Sequence, residues 1–499
     1  MSNNHLKIAD IFKFKMKDRT VLLNNDRFTV FLIDPIEADI LDLGNRIEDL
    51  ACLAAVQKRY GNDNVRSAFD RLEKMGVIAY DGKKALSVKE TGASETPCSN
   101  TLCLSVTDHC NMRCRYCRNG DGPFGLPPVH MSKNTARKAI DFFLEESGSR
   151  ENSFIYFNGG EPSLNFDVVE LCIDYGKDRF HAAGKKLTFC FVTNGFNLTR
   201  SLIDSLAEKG VILLVGIDGL PEIHNCFRQA MDGSGTHKAV YRTIRQARDN
   251  KLSKLAAITV LTQESVDIVG AVNHIRSLGI DNVVLKPVIE LYREEAGIGK
   301  NLEKCGDAMV EMSMALLDRI LSRSTTPEKY FINENIVETY IALIWKKTRG
   351  LIPLGSRSGR CAAGLGELGI TAGGDIYPCV FFSGLPEYKL GSLSSGFDRH
   401  KLLSFNAEAE PDRKTDCQSC WARYICLGGC LRDAVSYSGS LVEPNKHKCG
   451  FNKLIAKISL YIYAVITERD PSLFEFFIPP KEFHLDRLFQ KLNTNVYDQ

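Results

Sequence analysis

Between residues 101 and 289, six short apolar runs alternate with stretches of helical periodicity, and this alternation limits the possible folds more than any other feature. The runs are LCLSVT (102–107), FIYF (154–157), LTFCFV (187–192), VILLVGI (211–217), AAITVL (256–261) and NVVLKPVI (282–289). They are short and rich in β-branched and aromatic residues, so they read as strands. After the first, Ser132 stands as a helix N-cap, with Ala136, Ala139, Ile140, Phe143 and Leu144 on one stripe. Thr199 caps a later helix that turns Leu202, Ile203 and Leu206 inward. Strands separated by such helices imply a parallel sheet with right-handed crossovers. Six units are too few for eightfold closure. The expectation is an α/β fold, a partial (β/α)6 barrel, with its site on loops at the C-terminal ends of the strands.

The flanks carry different patterns. At 499 residues the chain is too long for one core, so several domains are expected. Residues 8 to about 90 read as a small α+β unit. Within it FKFKMKDRTVLL and FTVFLI are strands and EADILDL is a third; RIEDLACLAAVQKRYG and VRSAFDRLEKMGVIAY are helices, the latter with Val65, Phe69, Leu72 and Met75 on one face. KETGASETPCSN is polar and turn-rich, a linker. Helices are expected near 304–322 and 333–348, RGLIPLGSRSGR as a loop, then a cysteine-rich stretch, a helix over Asn452–Glu468 and an irregular tail. The expected division is 1–95, 96–300, 301–355, 356–455 and 456–499.

Hydrophobic content of 44% and charged content of 25% are those of a soluble globular protein. A formal net charge of +2, with no basic patch interleaved with aromatics, gives no field for nucleic acid or an anionic membrane. MSNNHLKIADIF has no signal-peptide core, and Leu460–Thr467 is too short to span a bilayer, so a cytoplasmic location is expected. The 17 cysteines are the outlier. In a long chain without an export signal they read as metal ligands or small buried hydrophobes. Cys52, Cys98, Cys103, Cys172, Cys190, Cys226 and Cys305 are scattered, several within apolar runs, and read as packing residues.

The other ten are grouped. Cys110-Asn-Met-Arg-Cys114-Arg-Tyr-Cys117 follows directly on the first strand. This spacing lets one short loop wrap three thiolates around a cubic 4Fe-4S cluster and leaves one iron without a protein ligand. S-adenosylmethionine can chelate such an iron through its amino and carboxylate groups. A zinc site completed by the adjacent His109 is the competing reading. Further on stand Cys361, Cys379, Cys417, Cys420, Cys426, Cys430 and Cys449, whose core CxxCxxxxxCxxxC is a ligand array for clusters or for two zinc ions.

With these motifs, Asn158-Gly159-Gly160-Glu161-Pro162 after the second strand, Thr193-Asn194-Gly195 after the third and Gly216-Ile217-Asp218-Gly219 after the fourth, the sequence resembles the radical S-adenosylmethionine superfamily. The resemblance implies that S-adenosylmethionine is bound by Tyr116, Gly159, Gly160, Glu161, Asn194, Asp218 and Arg228. Tyr116 would lie by the adenine, Glu161 by the methionine amino group and Arg228 by its carboxylate. Similar proteins commonly have a ribose-contacting serine where Gly216 stands; glycine here removes that contact. The C-terminal array resembles the SPASM domain of peptide-modifying radical enzymes. That implies one auxiliary 4Fe-4S cluster on Cys417, Cys420, Cys426 and Cys449, and another on Cys361, Cys379 and Cys430, which lacks an evident fourth cysteine. Sulfatase-maturing relatives carry an aspartate base after the position of Cys379; Val380 stands there and disfavours formylglycine formation.

The resemblance implies a peptide-modifying oxidoreductase, similar to thioether-forming maturases of ribosomally made peptides. Its partners would be a precursor peptide with a leader and an electron donor such as flavodoxin or ferredoxin. Hydrogen abstraction would lead to a thioether or carbon–carbon cross-link, or to an epimer. The N-terminal unit resembles a winged-helix-like domain that takes a leader peptide as an added strand. Maturation of a folded protein and a zinc-binding regulatory or scaffold role are the alternatives. The sequence identifies no catalytic base; Glu290, Tyr292 and Arg293 are pocket residues only.

Overall fold

The structure, a computed structural model, describes residues 6–44, 50–80, 99–117, 128–250, 252, 254–262, 264–265, 267–288, 302–323, 335–357 and 360–477. Cys98, Glu290, Tyr292 and Arg293 lie outside the described residues, as do most of the linker and the tail after Phe477.

The N-terminal unit contains β1 (Leu6–Ile8), β2 (Ile11–Met16), β3 (Arg19–Asn24), β4 (Thr29–Ile33), α1 (Pro35–Asp42), α2 (Leu50–Tyr60), α3 (Asn62–Lys74) and β5 (Ile78–Tyr80). β2, β3 and β4 form an antiparallel meander and β1 pairs antiparallel with β5. FKFKMKDRTVLL is thus a hairpin, turning at Lys17 with φ 53°. EADILDL is helix, not strand. Asp34 accepts from the Glu37 amide at 2.9 Å, Glu37 accepts from the Asp34 amide at 2.9 Å, and Pro35 opens the first turn. That capping box prevails over a pattern that could serve either structure. The VIAY end of the second expected helix is β5, held in register by β1.

The central sheet has the expected topology. Its strands and helices follow in the order β6 (Thr101–Thr107), α4 (Lys133–Glu146), β7 (Asn152–Gly159), α5 (Phe166–Ala182), β8 (Lys186–Thr193), α6 (Arg200–Glu208) and β9 (Ile212–Gly216). Then come α7 (Pro221–Phe227), α8 (His237–Asp249), β10 (Leu255–Leu261), α9 (Ile268–Ser277) and β11 (Val283–Pro287). β6 to β11 lie side by side in sequence order, every pair parallel. One face, including Leu102, Leu104, Phe157 and Phe191, packs with the helical stripes of Ala136, Ile140, Ile203 and Val240. The other carries a smaller apolar set: Phe154, Cys190, Ile212, Leu214, Ala256 and Val284. Ser132 and Thr199 cap their helices as expected, accepting from Thr135 and Leu202 amides.

α10 (Leu302–Leu321) and α11 (Asn335–Thr348) lead to the cysteine-rich region. There β12 (Glu367–Ile370) adds to the open edge of the central sheet, parallel to β6, and β13 (Asp375–Tyr377), β14 (Gly391–Ser392) and β15 (Gly396–Phe397) follow antiparallel, so ten strands form one continuous sheet. α12 (Arg399–Glu408), α13 (Thr415–Gln418), α14 (Arg423–Cys426), α15 (Leu431–Ser438) and α16 (Lys446–Arg469) complete the described fold. α16 starts before Asn452 because Asn445 caps it, accepting from the His447 amide at 3.0 Å; Cys449 therefore sits in its first turn. By length and composition alone this helix could cross a membrane, but 67% of its most apolar window is buried. Ile455, Ile458 and Ile462 belong to the core, where α16 packs on α11 and α10.

The N-terminal unit docks on the cysteine-rich region. Phe12 stacks on Trp421 with ring centroids 3.9 Å apart and planes 6° from parallel. Asp10 pairs with Arg423 at 2.7 Å, and Arg19 with Glu468 at 2.7 Å.

Candidate metal centre and cofactor site

Cys110, Cys114 and Cys117 occupy a loop leaving the C-terminal end of β6. Its backbone is held from two sides. Arg113 and Arg115 amides donate to the carbonyls of Gln229 and Phe227, each at 2.8 Å, and Met112 bridges Ala230. The Cys117 amide closes a turn on the Cys114 carbonyl at 2.9 Å. From the β7 side, the Gly160 amide donates to Thr107 O and the Glu161 amide to His109 O, both at 2.8 Å. A Cβ on Gly160 would stand 2.0 Å from the His109 carbonyl oxygen, so only glycine permits this approach.

Glu161 is buried, and its carboxylate accepts from Thr193 Oγ1 (2.8 Å), the Asn194 amide (2.7 Å) and the Ser163 amide (3.1 Å). Burial raises its pKa, and those donors oppose the shift. The carboxylate thereby ties the end of β7 to the end of β8. Asn194 in turn donates to Asn111 Oδ1 at 2.8 Å and reaches Cys110 Sγ at 3.7 Å.

Below the loop is a buried charge cluster. Asp218 Oδ2 accepts from Arg228 Nε at 2.9 Å and from the Tyr116 hydroxyl at 2.5 Å, while Oδ1 accepts from the Val260 amide at 2.9 Å. The Arg228 guanidinium lies 5.5 Å from the Tyr116 ring centroid. It also fills the space above β9: a Cβ on Gly216 would lie 2.5 Å from Arg228 Nη1. A side chain at 216 would have to displace the end of the Arg228 side chain, which glycine avoids. Burial pushes the Cys114 thiol up to about 12, against Arg228 and with Cys117 and Cys110 adding to the rise. Three mutually repelling thiols under low dielectric are a set that a cationic cluster stabilises as thiolates. Among the described residues no three Cys, His, Asp or Glu side chains converge on a point that could hold one metal ion.

The Radical SAM superfamily pattern matches residues 104–282, which begin in β6 and end just before β11. The chain carries a radical SAM domain. An uncharacterised protein of Methanocaldococcus jannaschii is 31% identical over 132 residues, 26% of this chain and 43% of its own length. The radical SAM cyclopropyl synthase TigE of Paramaledivibacter caminithermalis is 22% identical over 456 residues, 83% of this chain and 84% of its own. A solved structure of native anSMEcpe with bound AdoMet and Cp18Cys peptide superposes with a TM-score of 0.58 at 17% identity, covering 75% of this chain and 98% of that one. That likeness extends beyond the 104–282 match, so the fold is that of a radical SAM enzyme.

The radical SAM domain also has a polar relay that spacing did not suggest. The Asp218 amide donates to His224 Nδ1 at 3.3 Å, and His224 Nε2 meets Thr236 Oγ1 at 3.0 Å, which donates to the Arg228 carbonyl at 2.8 Å. His224 is therefore neutral with its proton on Nε2. Burial, with Arg228 and His237 adding, holds its pKa at about 2, against 6.5 ordinarily. In the unfolded chain it takes up a proton near 6.5, so its contribution to stability is complete above that pH and declines as pH falls. Acidification is expected to cost up to about 1.4 kcal/mol per pH unit below 6.5 from this group. Denaturation midpoints measured at neutral pH and below 6 check it: His224→Gln should flatten the decline by about one proton's slope, and an unchanged slope refutes it.

In the cysteine-rich region, Cys417, Cys420, Cys426, Cys430 and Cys449 line one cavity of about 660 Å³, counted with its open mouth. Burial pushes Cys417 up to about 12, with Cys426 next in effect. Tyr340, fully buried on α11, hydrogen-bonds Cys426, and Arg360 Nε donates to the Tyr340 hydroxyl at 3.3 Å. Neither residue was readable as a site residue from sequence. Cys361 and Cys379 are outside that lining and flank β12 and β13, so the cavity groups Cys430 with the first four and not with the other two. Of the cysteines read as packing, Cys172, Cys190 and Cys305 are buried. Cys226 accepts from Arg115 Nη1 at 3.5 Å, and Cys103 faces Glu367 Oε1 at 3.5 Å.

Proposed function

We propose that the chain matures a ribosomally made peptide by abstracting a hydrogen atom and forming a thioether or carbon–carbon cross-link. The observation that carries the reading is the three-cysteine loop at the end of β6, closed on one side by Gly160 and Glu161 and on the other by the Asp218–Arg228–Tyr116 cluster. In this reading Cys110, Cys114 and Cys117 hold a 4Fe-4S cluster. Tyr116, Gly159, Gly160, Glu161, Asn194, Asp218 and Arg228 shape the S-adenosylmethionine site beside it. When bound, cluster and S-adenosylmethionine together supply a 5′-deoxyadenosyl radical. The residues of this chain orient the nucleotide: Arg228 offers cationic nitrogens beyond the Nε given to Asp218, and Glu161 fixes the loop that approaches the methionine end.

Cys417, Cys420, Cys426 and Cys449 hold one auxiliary 4Fe-4S cluster, and Cys361, Cys379 and Cys430 contribute to another. Electron acceptors near the site suit cross-linking, because closing a bond on a carbon radical removes an electron from the substrate. A reduced flavodoxin or ferredoxin supplies the first electron. Residues 1–95 serve as the precursor-recognition unit, 96–300 as the radical domain, 301–355 as a bridge, 356–455 as the auxiliary-cluster domain and 456–499 as its closing helix and tail. Among the described residues β2 and β4 each pair on one side only, leaving sheet edges for a leader strand. Peptide as substrate class is supported by the solved anSMEcpe structure, which has a peptide bound.

Co-expression with a short peptide encoded beside this chain, followed by mass spectrometry, tests the proposal. The expected product has lost two hydrogens and contains a bond that fragmentation localises. An unaltered mass with one inverted residue indicates epimerisation instead, and an unmodified peptide under reducing, anaerobic conditions refutes the peptide reading.

A further inference from the structure

The sequence leaves the Cys361/Cys379/Cys430 cluster with no evident fourth ligand, and the structure places a carboxylate beside Cys379. β12 and β13 pair antiparallel with Gly369 opposite Tyr377. Extending that register by two residues sets Glu367 opposite Cys379. The turn joining Cys361 to β12 folds onto the same spot: the Glu367 amide donates to Ala362 O at 2.9 Å, and the Gly364 amide to Pro378 O at 2.8 Å. From the other side, Arg432 Nε, two residues past Cys430, donates to Phe381 O at 2.7 Å, two residues past Cys379. The chain segments that carry the three cysteines are thus tied to one another, and Glu367 lies on the stretch between Cys361 and Cys379.

The Glu367 side chain contacts both neighbouring thiols. It lies within hydrogen-bond reach of Cys379, and its Oε1 is 3.5 Å from Cys103 Sγ. Cys103 arrives there because β12 pairs parallel to β6 with Gly369 beside Cys103, so residues 367, 369 and 103 share one face of the sheet. The Glu367 carboxylate is half-buried, with two thiols as its neighbours and Lys286 as a longer-range cationic influence. Buried carboxylates are hydrogen-bonded, paired with a cation or bound to a metal. Two thiols are poor partners for it, and a ferric iron is a good one, since a hard oxygen donor suits that ion.

We propose that Glu367 is the fourth protein ligand of the cluster held by Cys361, Cys379 and Cys430, binding through its carboxylate. The inference rests on the auxiliary-cluster reading above. A carboxylate is a weaker ligand for such iron than a thiolate, so this corner of the cluster exchanges more readily. That makes it the corner at which a substrate thiol could displace the protein ligand. Cys103 stands behind Glu367 as a neighbour of the ligand, not as a ligand.

The test is iron and sulfide analysis with EPR and Mössbauer spectroscopy on the full-length holoenzyme purified without oxygen. Wild-type protein should hold three clusters. Glu367→Ala should lose about one iron per chain and show a three-iron cluster signal after mild oxidation. Glu367→Cys should restore the iron and remove that signal. Cys103→Ser should match wild type. Wild-type iron and spectra in Glu367→Ala overturn the proposal while leaving the auxiliary clusters standing. Loss of iron in Cys103→Ser with none in Glu367→Ala assigns the position to Cys103 and likewise overturns it. Wild-type protein that holds iron for one cluster only overturns both the proposal and the reading beneath it.

Discussion

Protein with Cys114 replaced by alanine is expected to release no 5′-deoxyadenosine above background, a fall of at least about a thousandfold, while keeping the iron of its C-terminal array. Cys114 is the middle thiol of the loop. Its neighbours Cys110 and Cys117 and the charges of Arg228 and Asp218 all act on it. Removing it leaves two thiolates for a four-iron cube. Of the loop's other side chains, Asn111, Arg113 and Arg115 are committed to Asn194, to carbonyls of their own loop and to Cys226. The iron content should fall by about four per chain. Anaerobic reconstitution with a strong reductant and chromatographic detection of 5′-deoxyadenosine is the measurement. Cleavage at the wild-type rate would mean that the loop holds no cluster, and the functional reading would be lost with it.

Replacing Asp218 by alanine is expected to destabilise the radical domain by about 3–5 kcal/mol. The Arg228 side chain is 8% exposed and the Asp218 side chain 1% exposed, so the pair is out of water. One carboxylate serves three donors: Arg228, the Tyr116 hydroxyl and the Val260 amide. Its loss leaves a guanidinium buried without a counter-charge, which costs far more than the net worth of the pair. The Val260 amide, at the end of β10, loses its acceptor as well. A melting transition of the domain lower by the order of 10 °C follows from that range, with weaker nucleotide binding because Arg228 and Tyr116 are no longer held. Asp218→Asn should recover part of the loss, since its carbonyl oxygen can accept from Val260 and Tyr116 but brings no charge. Calorimetry and equilibrium binding of S-adenosylmethionine check both. An alanine variant melting with the wild type would show that Arg228 finds another partner.

How far the sequence alone reaches differs between elements. All six strands of the parallel sheet were legible because buried strands leave continuous apolar runs, and the intervening caps at Ser132 and Thr199 mark helix starts by local chemistry. EADILDL misled because its apolar residues fit a strand and a helix equally; the decision lay at its start, where Asp34 and Glu37 build a capping box and Pro35 opens the first turn. Ile78–Tyr80 became a strand only because β1, some seventy residues earlier, lies beside it. Gly216 read as a missing contact, whereas Arg228 occupies that space. Cys103 read as packing; its neighbours Glu367, on β12, and Cys379, just after β13, come from more than 260 residues away.

The sequence by itself determined the order of strands and helices and the thiol groups with their spacing, because periodicity, capping and ligand spacing are local and survive without a fold; the radical SAM reading came from the resemblance of those motifs. The tertiary structure alone decided that β12 joins β6, that Glu367 meets Cys379 and Cys103, that Asp218 gathers Arg228, Tyr116 and Val260, and that Phe12 stacks on Trp421. Those contacts depend on strand register and on which faces find each other across long loops. A single chain records neither, since one residue of register shift moves every side chain to the opposite face.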